Sequence, residues 1–292
     1  MANTISYSSH ELTLRAPGLL RPVHSPAAAA LSSNSYNGRI GYGTESEVCF
    51  DLNKARMSKR PSKALLCFHG SGSKGAIFKV QMARICLLLG ETFEFIFLDG
   101  PLECAPGPGV LPMFSGQEPY YCWFGSNGNS TEDGIDRVTS SVKHAVDEWT
   151  ATKSNPEAEI VGGIGFSEGA LALSMMLWQQ QQGLAPWLPR PMFAALSCCF
   201  FPNEASLWLN ANAQAHGMSK AHIDVPTLHI HGNRDFCLGR ARRLVRVHYQ
   251  PSFATVIQTE AGHHLPTRKD ELAEVVKHIL RLSDMLALAP QN

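Results

Sequence analysis

The sequence predicts an α/β protein whose mostly parallel sheet has about six strands, with helices on both faces. Short apolar runs of strand length alternate with longer segments in which apolar residues recur at helical spacing. A strand, a helix and a second strand in that order indicate parallel pairing through a crossover helix. A chain of 292 residues is long enough to bury such a core without disulfides.

The predicted elements begin at residue 64. Strand 64–68 leads into a helix over 76–89, which Gly90 ends, and strand 93–98 follows. The later elements are helix 135–152, strand 159–166, helix 169–182, strand 192–201, a helical or irregular insertion over 202–222, strand 226–230, strand 253–258 and helix 267–288. Residues 1–60 lack a sustained period, so we expect a partly irregular N-terminal arm with one strand over 47–52. Residues 61–292 are predicted to form one domain.

Composition excludes several classes of protein. Lys plus Arg total 25 and Asp plus Glu total 25, so the chain has no excess positive field for nucleic acid. No apolar stretch approaches the roughly 18 residues of a membrane span. The eight cysteines include no Cys-x-x-Cys pair, which is typical of reduced thiols, so we expect a cytoplasmic protein without metal. Arg15 and Arg21 in a Ser- and Ala-rich start leave a transit peptide open, although Glu11 disfavours one.

A Gly-x-Ser-x-Gly segment joins a buried strand to the next helix. Gly165 and Gly169 flank Ser167, and small residues are needed there because the turn that presents the hydroxyl is sharp. The following helix also directs free N–H groups toward a developing oxyanion. The motif alone is equally compatible with a serine in an ordinary turn.

Two later segments supply the partners that a nucleophilic serine needs. Asp235 and His263 each follow the carboxyl end of a predicted strand, on the sheet edge that carries Ser167. A histidine can remove the serine proton, and a carboxylate can hold that histidine in the right tautomer. The order serine, acid, histidine is that of α/β-hydrolases. His264 is the alternative base.

An oxyanion site requires two backbone donors. The Glu168 N–H directly follows Ser167, and the loop after the first predicted strand offers Ser71 N–H, with Gly72 as its substitute. We expect His69 to pack beneath this loop as a structural residue.

Five ordered motifs together resemble a known family. They are residues 66–71 (Leu-Cys-Phe-His-Gly-Ser), 98–101 (Leu-Asp-Gly-Pro), 165–169, His-Gly-x-x-Asp at 231–235 and Gly-His-x-x-Pro at 262–266. The chain resembles the fungal serine-hydrolase family, which includes stand-alone thioesterases of polyketide gene clusters. The resemblance implies an α/β-hydrolase fold with a lid and a catalytic domain over 61–292. It also implies a triad of Ser167, Asp235 and His263 and no cofactor.

The same resemblance implies a substrate. It would be a polyketide chain on an acyl carrier protein, released by water or by its own hydroxyl as a lactone. The sequence does not choose between these outcomes, and a general carboxylesterase acting on small esters is the alternative.

Two further groups of residues are candidates for binding. The aromatic residues Tyr120, Tyr121, Trp123 and Phe124 either form the wall of an acyl pocket or pack beneath a loop, and Phe236 is a further substrate-binding candidate. The second group is four arginines after Asp235, which either form a solvated helix face or dock the acidic carrier protein or the phosphate of its pantetheine arm: Arg240, Arg242, Arg243 and Arg246. The lid is expected within 101–134, 202–222 or both.

One competing fingerprint predicts an NAD(P)-binding oxidoreductase. Gly70, Gly72 and Gly75 follow a strand with Gly-x-Gly-x-x-Gly spacing, and Asp99 ends the next strand. Under this interpretation, the order of Ser167, Asp235 and His263 along the chain would be a coincidence, so we favour the hydrolase.

Overall fold

The structure is a computed structural model, and it describes residues 61–125, 131–188, 192–219 and 221–287. The N-terminal arm and its predicted strand over 47–52 lie outside the described residues.

Six parallel strands form the main sheet. In the order β2-β1-β5-β6-β7-β8, every adjacent pair is parallel. The strands are β1 (Lys63–Phe68), β2 (Phe93–Leu98), β5 (Glu159–Phe166), β6 (Phe193–Ser197), β7 (Thr227–Gly232) and β8 (Ala254–Thr259). A separate antiparallel hairpin consists of β3 (Leu102–Cys104) and β4 (Tyr120–Cys122).

Helices cover both faces of the sheet because alternate strand residues point to opposite sides. The helices are α1 (Gly75–Gln81), α2 (Ala83–Leu89), α3 (Thr131–Thr152), α4 (Glu168–Gln181), α5 (Asn203–Ala215), α6 (Leu238–His248) and α7 (Lys269–Ala287). In β1, Leu66 and Phe68 pack with α3, α4 and α5, whereas Leu65 and Cys67 pack with α1, α2 and α7. This arrangement confirms the predicted α/β-hydrolase class.

The elements differ from the sequence prediction in three places. The helix predicted over 76–89 is divided at Met82, whose ψ of 2° is outside the helical range. Strand β6 ends at Ser197 rather than at residue 201, because Cys198 adopts a φ of 54° that no strand accommodates. Residues 102–104 and 120–122, predicted as loop, pair as the β3–β4 hairpin.

The position of helix α5 narrows the region in which a lid is expected. Its Ala205, Leu209 and Ala213 are buried in the same core as α3 and α4, so α5 is a crossover helix of the domain. The described part of 202–222 therefore does not supply a lid, and 101–134 stays a prediction. Within the described ranges, no helix combines the length and apolar character needed to cross a bilayer.

Candidate active site

The turn between β5 and α4 presents Ser167 at the carboxyl edge of the sheet. Ser167 has a φ of 54°, an uncommon value for a residue with a side chain. The turn is tight enough that a Cβ on Gly165 would lie 2.6 Å from Ala170 Cα, and one on Gly169 would meet the backbone of Phe68. Glycine is therefore required on both sides of the serine, as the sequence analysis proposed.

Ser167, His263 and Asp235 form one hydrogen-bonded chain. The Ser167 hydroxyl lies 2.9 Å from His263 Nε2, and His263 Nδ1 lies 2.9 Å from Asp235 Oδ1. Because Asp235 accepts from Nδ1–H, Nε2 is left unprotonated to accept from the serine. His264 instead contacts Leu265 O and Gly262 N, so it is His263 that adjoins the serine.

The carboxylate of Asp235 is fixed from two further sides. Its Oδ1 also accepts the Cys237 N–H at 2.7 Å. The Cys198 thiol lies beside it, with Sγ, an Asp235 oxygen and a His263 nitrogen all within 4.8 Å of one another. Burial, and then the charge of Asp235, raise the pKa of the Cys198 thiol well above its usual range, so it stays a protonated donor.

Cys198 contacts the Asp235–His263 pair, although no sequence motif singles it out as a site residue. Its position at the end of β6, on the edge that carries Ser167, was the available indication. Among the residues that the structure describes, one group of three side chains has its potential metal-ligand atoms close together: Cys198, Asp235 and His263. The hydrogen bond between His263 and Asp235 already uses two of these ligand atoms.

Two aromatic rings hold the imidazole of His263. The Phe166 ring centroid lies 5.3 Å from it, and the Phe236 ring centroid lies 4.6 Å from it. Phe236 is 73% exposed, so an aromatic side chain lies open to solvent directly beside His263. Of the five aromatic residues predicted to bind substrate, Phe236 is the one whose ring contacts His263.

The loop after β1 surrounds the predicted oxyanion donors. The Gly72 N–H donates to Tyr121 O at 2.9 Å, so the substitute donor is already used. His69 Nε2 accepts the Gly100 N–H, which leaves Nδ1 protonated, and Nδ1–H donates to Gly70 O at 2.7 Å. Burial lowers the pKa of His69, which favours this neutral form.

Comparison with known proteins agrees with this geometry. The model of the family described as "Serine hydrolase (FSH1)" matches residues 57–275. The chain belongs to this family. Esterase mlcF of Penicillium citrinum is 41% identical to this serine hydrolase over 231 residues, which are 76% of the present chain and 91% of the relative.

Two further relatives are similar over a comparable share of this serine hydrolase. The dihydromonacolin L-[lovastatin nonaketide synthase] thioesterase of Aspergillus terreus is 36% identical over 237 residues, 75% of this chain and 92% of the relative. Esterase mokD of Monascus pilosus is 37% identical over 246 residues, with 75% and 92% covered. The fold, the family and an esterase or thioesterase type of chemistry are thus shown for the serine hydrolase.

The Glu168 side chain has a second role in this serine hydrolase. Its two carboxylate oxygens accept the N–H groups of Trp123, at 3.1 Å, and Phe124, at 3.2 Å. The residue next to Ser167 therefore anchors the chain that leaves the β3–β4 hairpin. The Gly-x-Ser-x-Gly motif predicts a role only for the backbone N–H of Glu168.

Two of the predicted pocket aromatics are packing residues. Trp123 is fully buried against Phe68, and its indole N–H donates to His69 O at 2.8 Å. Tyr120 is buried beside Val110, and its hydroxyl donates to Phe114 O. Both rings are buried, so neither leaves surface for an acyl chain. The sequence could not show this, because composition alone does not distinguish a pocket wall from a loop core. For the half-buried Tyr121 and Phe124, pocket binding stays a prediction.

The dinucleotide fingerprint has another physical explanation in the serine hydrolase. Asp99 Oδ1 accepts the Gly75 N–H at 2.7 Å, so this carboxylate holds the start of α1. A Cβ on Gly72 would collide with the backbone of Gly107, so that glycine accommodates the protein's own chain. The three glycines shape the loop beneath the oxyanion donors, and the oxidoreductase alternative is not retained.

The four predicted docking arginines lie on α6. Arg240, Arg242, Arg243 and Arg246 are all exposed. Within the described ranges, no carboxylate lies at ion-pair distance from any of them. Helix α6 therefore presents a face of unneutralised positive charge immediately after Asp235.

Proposed function

We propose that this serine hydrolase releases an acyl chain, in the first instance a polyketide, from the thioester of an acyl carrier protein. The proposal depends on one observation above all, the hydrogen-bonded chain from Ser167 through His263 to Asp235. Support for a thioester bound to a synthase comes from the similarity to a lovastatin nonaketide synthase thioesterase.

In the first half of the reaction, Ser167 Oγ attacks the thioester carbonyl while His263 Nε2 accepts its proton. The Asp235 carboxylate stabilises the imidazolium that forms. The carbon–sulfur bond then breaks, and His263 returns the proton to the departing thiolate. An acyl ester of Ser167 remains.

We assign the oxyanion to the backbone N–H groups of Ser71 and Glu168. Glu168 opens α4, so the positive end of the helix dipole acts at the same place. The Gly70–Ser71 peptide supports the second donor. In a trans peptide the C=O and N–H point in opposite directions, and Gly70 O points to His69, so Ser71 N–H points away from it.

In the second half, a hydroxyl attacks the acyl ester with His263 as the base, and Ser167 regains its proton. Water would give a carboxylic acid, and a hydroxyl of the acyl chain would give a lactone. We propose hydrolysis as the default, because the exposed Phe236 and the partly exposed His263 leave the imidazole accessible to water.

The acidic carrier protein would dock on the arginines of α6, which follow Asp235 directly in the chain. Its negative surface complements four guanidinium groups that lack a described carboxylate partner. We also propose a cytoplasmic location, which the seven free cysteines of the described chain support.

A general carboxylesterase is the second candidate. The exposed surface around Phe236 favours it, because an open site accommodates small esters. The two functions differ in the leaving group, so turnover of matched thioesters and oxygen esters of one acyl chain discriminates between them.

A fluorophosphonate probe tests the nucleophile directly. We expect the wild type to be labelled and Ser167→Ala to remain unlabelled, with Ser174→Ala as the matched control, since that buried hydroxyl bonds Ala170 O. Mass spectrometry after incubation with a panel of acyl thioesters should then find the acyl group on Ser167. Equal labelling of wild type and Ser167→Ala would contradict the assignment.

A further inference from the structure

A cleft of about 390 Å³ lies between α5 and α6. Its wall includes the apolar side chains of Phe201 and Leu244. Asn203, Ser206 and Asn210 line it from α5, and the Ser206 hydroxyl lies 3.1 Å from Nε2 of His248, which lines the cleft from α6. The cleft therefore combines apolar contact with neutral hydrogen-bonding groups.

Two of the four arginines of α6 also line this cleft. Arg240 and Arg243 are three residues apart and so lie on one side of the helix, whereas Arg242 and Arg246 are not among the lining residues. Two guanidinium groups without a described carboxylate partner suit a dianionic group, and their planar forks match phosphate oxygens.

Arg240, in the first turn of α6, connects the cleft to the segment that carries Asp235. The Arg240 guanidinium lies 4.3 Å from the centre of the Phe200 ring, and its Nη2 lies 3.7 Å from Cys237 Sγ. The Cys237 N–H in turn donates to the catalytic carboxylate of Asp235. Contacts through Cys237 thus connect this arginine of the cleft to Asp235, the last member of the hydrogen-bonded chain that begins at Ser167.

We propose that the α5–α6 cleft binds the phosphate of a phosphopantetheine arm, with Arg240 and Arg243 as its charged ligands. This inference rests on the proposed thioesterase function and names the part of the substrate that this region recognises. It divides the arginines by role. The cleft pair recognises the arm itself, and Arg242 with Arg246 remain for the protein surface of the carrier.

Matched small thioesters test the proposal without a carrier protein. The same acyl group is attached to phosphopantetheine and to pantetheine, which differ by the phosphate, and kcat/KM is measured for both. We expect the wild type to prefer the phosphorylated substrate by about tenfold or more, mainly through KM, since a charge-assisted contact contributes at least that factor. The ratio is taken on a single protein, so it is insensitive to the fraction of folded enzyme.

Two double variants locate the preference. In Arg240→Gln/Arg243→Gln the ratio should fall to about one, whereas Arg242→Gln/Arg246→Gln removes equal charge from the same helix and should keep it. A wild-type ratio near one, a ratio retained by the cleft variant, or equal loss in both variants would overturn the cleft site. If the wild type cleaves neither thioester, the proposed function itself fails; if it cleaves both equally well, this inference alone fails.

Discussion

At the scale of single residues, the site depends on which proton each imidazole carries. His263 must hold its proton on Nδ1, and the Asp235 carboxylate selects that tautomer. His69 also holds its proton on Nδ1, because the Gly100 N–H occupies its Nε2. The first histidine is poised to accept a proton from Ser167, and the second orients the peptide that carries the Ser71 N–H.

Replacing Asp235 by Asn tests the first of these histidines. The neutral amide no longer stabilises the imidazolium or enforces the tautomer, so we expect kcat to fall by a factor on the order of 10⁴. Steady-state thioester hydrolysis measures the loss. Asp224→Asn, which changes an exposed aspartate, is the control. Near-normal turnover of Asp235→Asn would move the acid to another residue.

Two substitutions of His69 test its effect on the Ser71 N–H. Asn places a donor near the former Nδ1 and can keep the bond to Gly70 O, whereas Gln reaches the former Nε2 and can keep the acceptor for Gly100 N. If orientation of the Gly70–Ser71 peptide assists catalysis, kcat should be about tenfold lower in His69→Gln than in His69→Asn.

Separate measurement of kcat and KM distinguishes this role from a structural one. A change in the oxyanion site lowers kcat and leaves KM similar, because the donor acts mainly in the transition state. Thermal unfolding of both variants reports the cost to the fold. Equal kcat in the two variants would show that His69 only supports packing.

At the scale of elements, the strand ends were the most predictable part of the site. Ser167, Asp235 and His263 each follow a strand whose apolar run is visible in the sequence, and parallel strands bring their carboxyl ends to one edge. The φ of Cys198 was not predictable, because only the assembled edge forces a cysteine into that conformation. The burial of Trp123 depends on long-range contact with His69, which no local pattern encodes.

The hairpin and α4 are joined through one side chain, and Glu168→Gln tests this connection. A neutral amide offers a single weaker acceptor for the Trp123 and Phe124 N–H groups, at a cost of about 1.5–3 kcal/mol for the lost charged contact. We expect faster hydrogen exchange at these two amides. Glu118→Gln, on the chain that leads into β4, should leave them unchanged, and so would Glu168→Gln if the anchor were unimportant.

At the scale of the whole molecule, the buried histidines of β7 couple the core to pH. His229 and His231 are buried in β7, between β6 and the edge strand β8, and their rings are 6.2 Å apart. Burial, with the neighbouring His231, lowers the pKa of His229 to about 3. Thr227 Oγ1 lies 3.1 Å from its Nε2, and Tyr249 packs edge-on against its ring. The fold therefore requires this imidazole to be neutral.

This requirement predicts a loss of stability in acid. The unfolded chain binds a proton at His229 as the pH falls through about 6.5, whereas the folded chain does not until about 3. The contribution of neutral His229 to the free energy of unfolding is complete above the pKa of the unfolded chain, and it is lost as the pH falls from about 6.5 toward 3. At about pH 5 the loss from this residue amounts to about 2 kcal/mol in the free energy of unfolding.

Urea unfolding at about pH 7.5 and about pH 5 measures this loss. His229→Gln keeps a polar partner for Thr227 without a titrating ring, so its stability should fall by about 2 kcal/mol less than that of the wild type between the two pH values. His144→Gln removes an exposed histidine and should follow the wild type. If His229→Gln does not fold, His229→Leu offers an apolar replacement for the same comparison. An acid-induced loss as large in the His229 variant as in the wild type would show that other groups carry the pH dependence of the core.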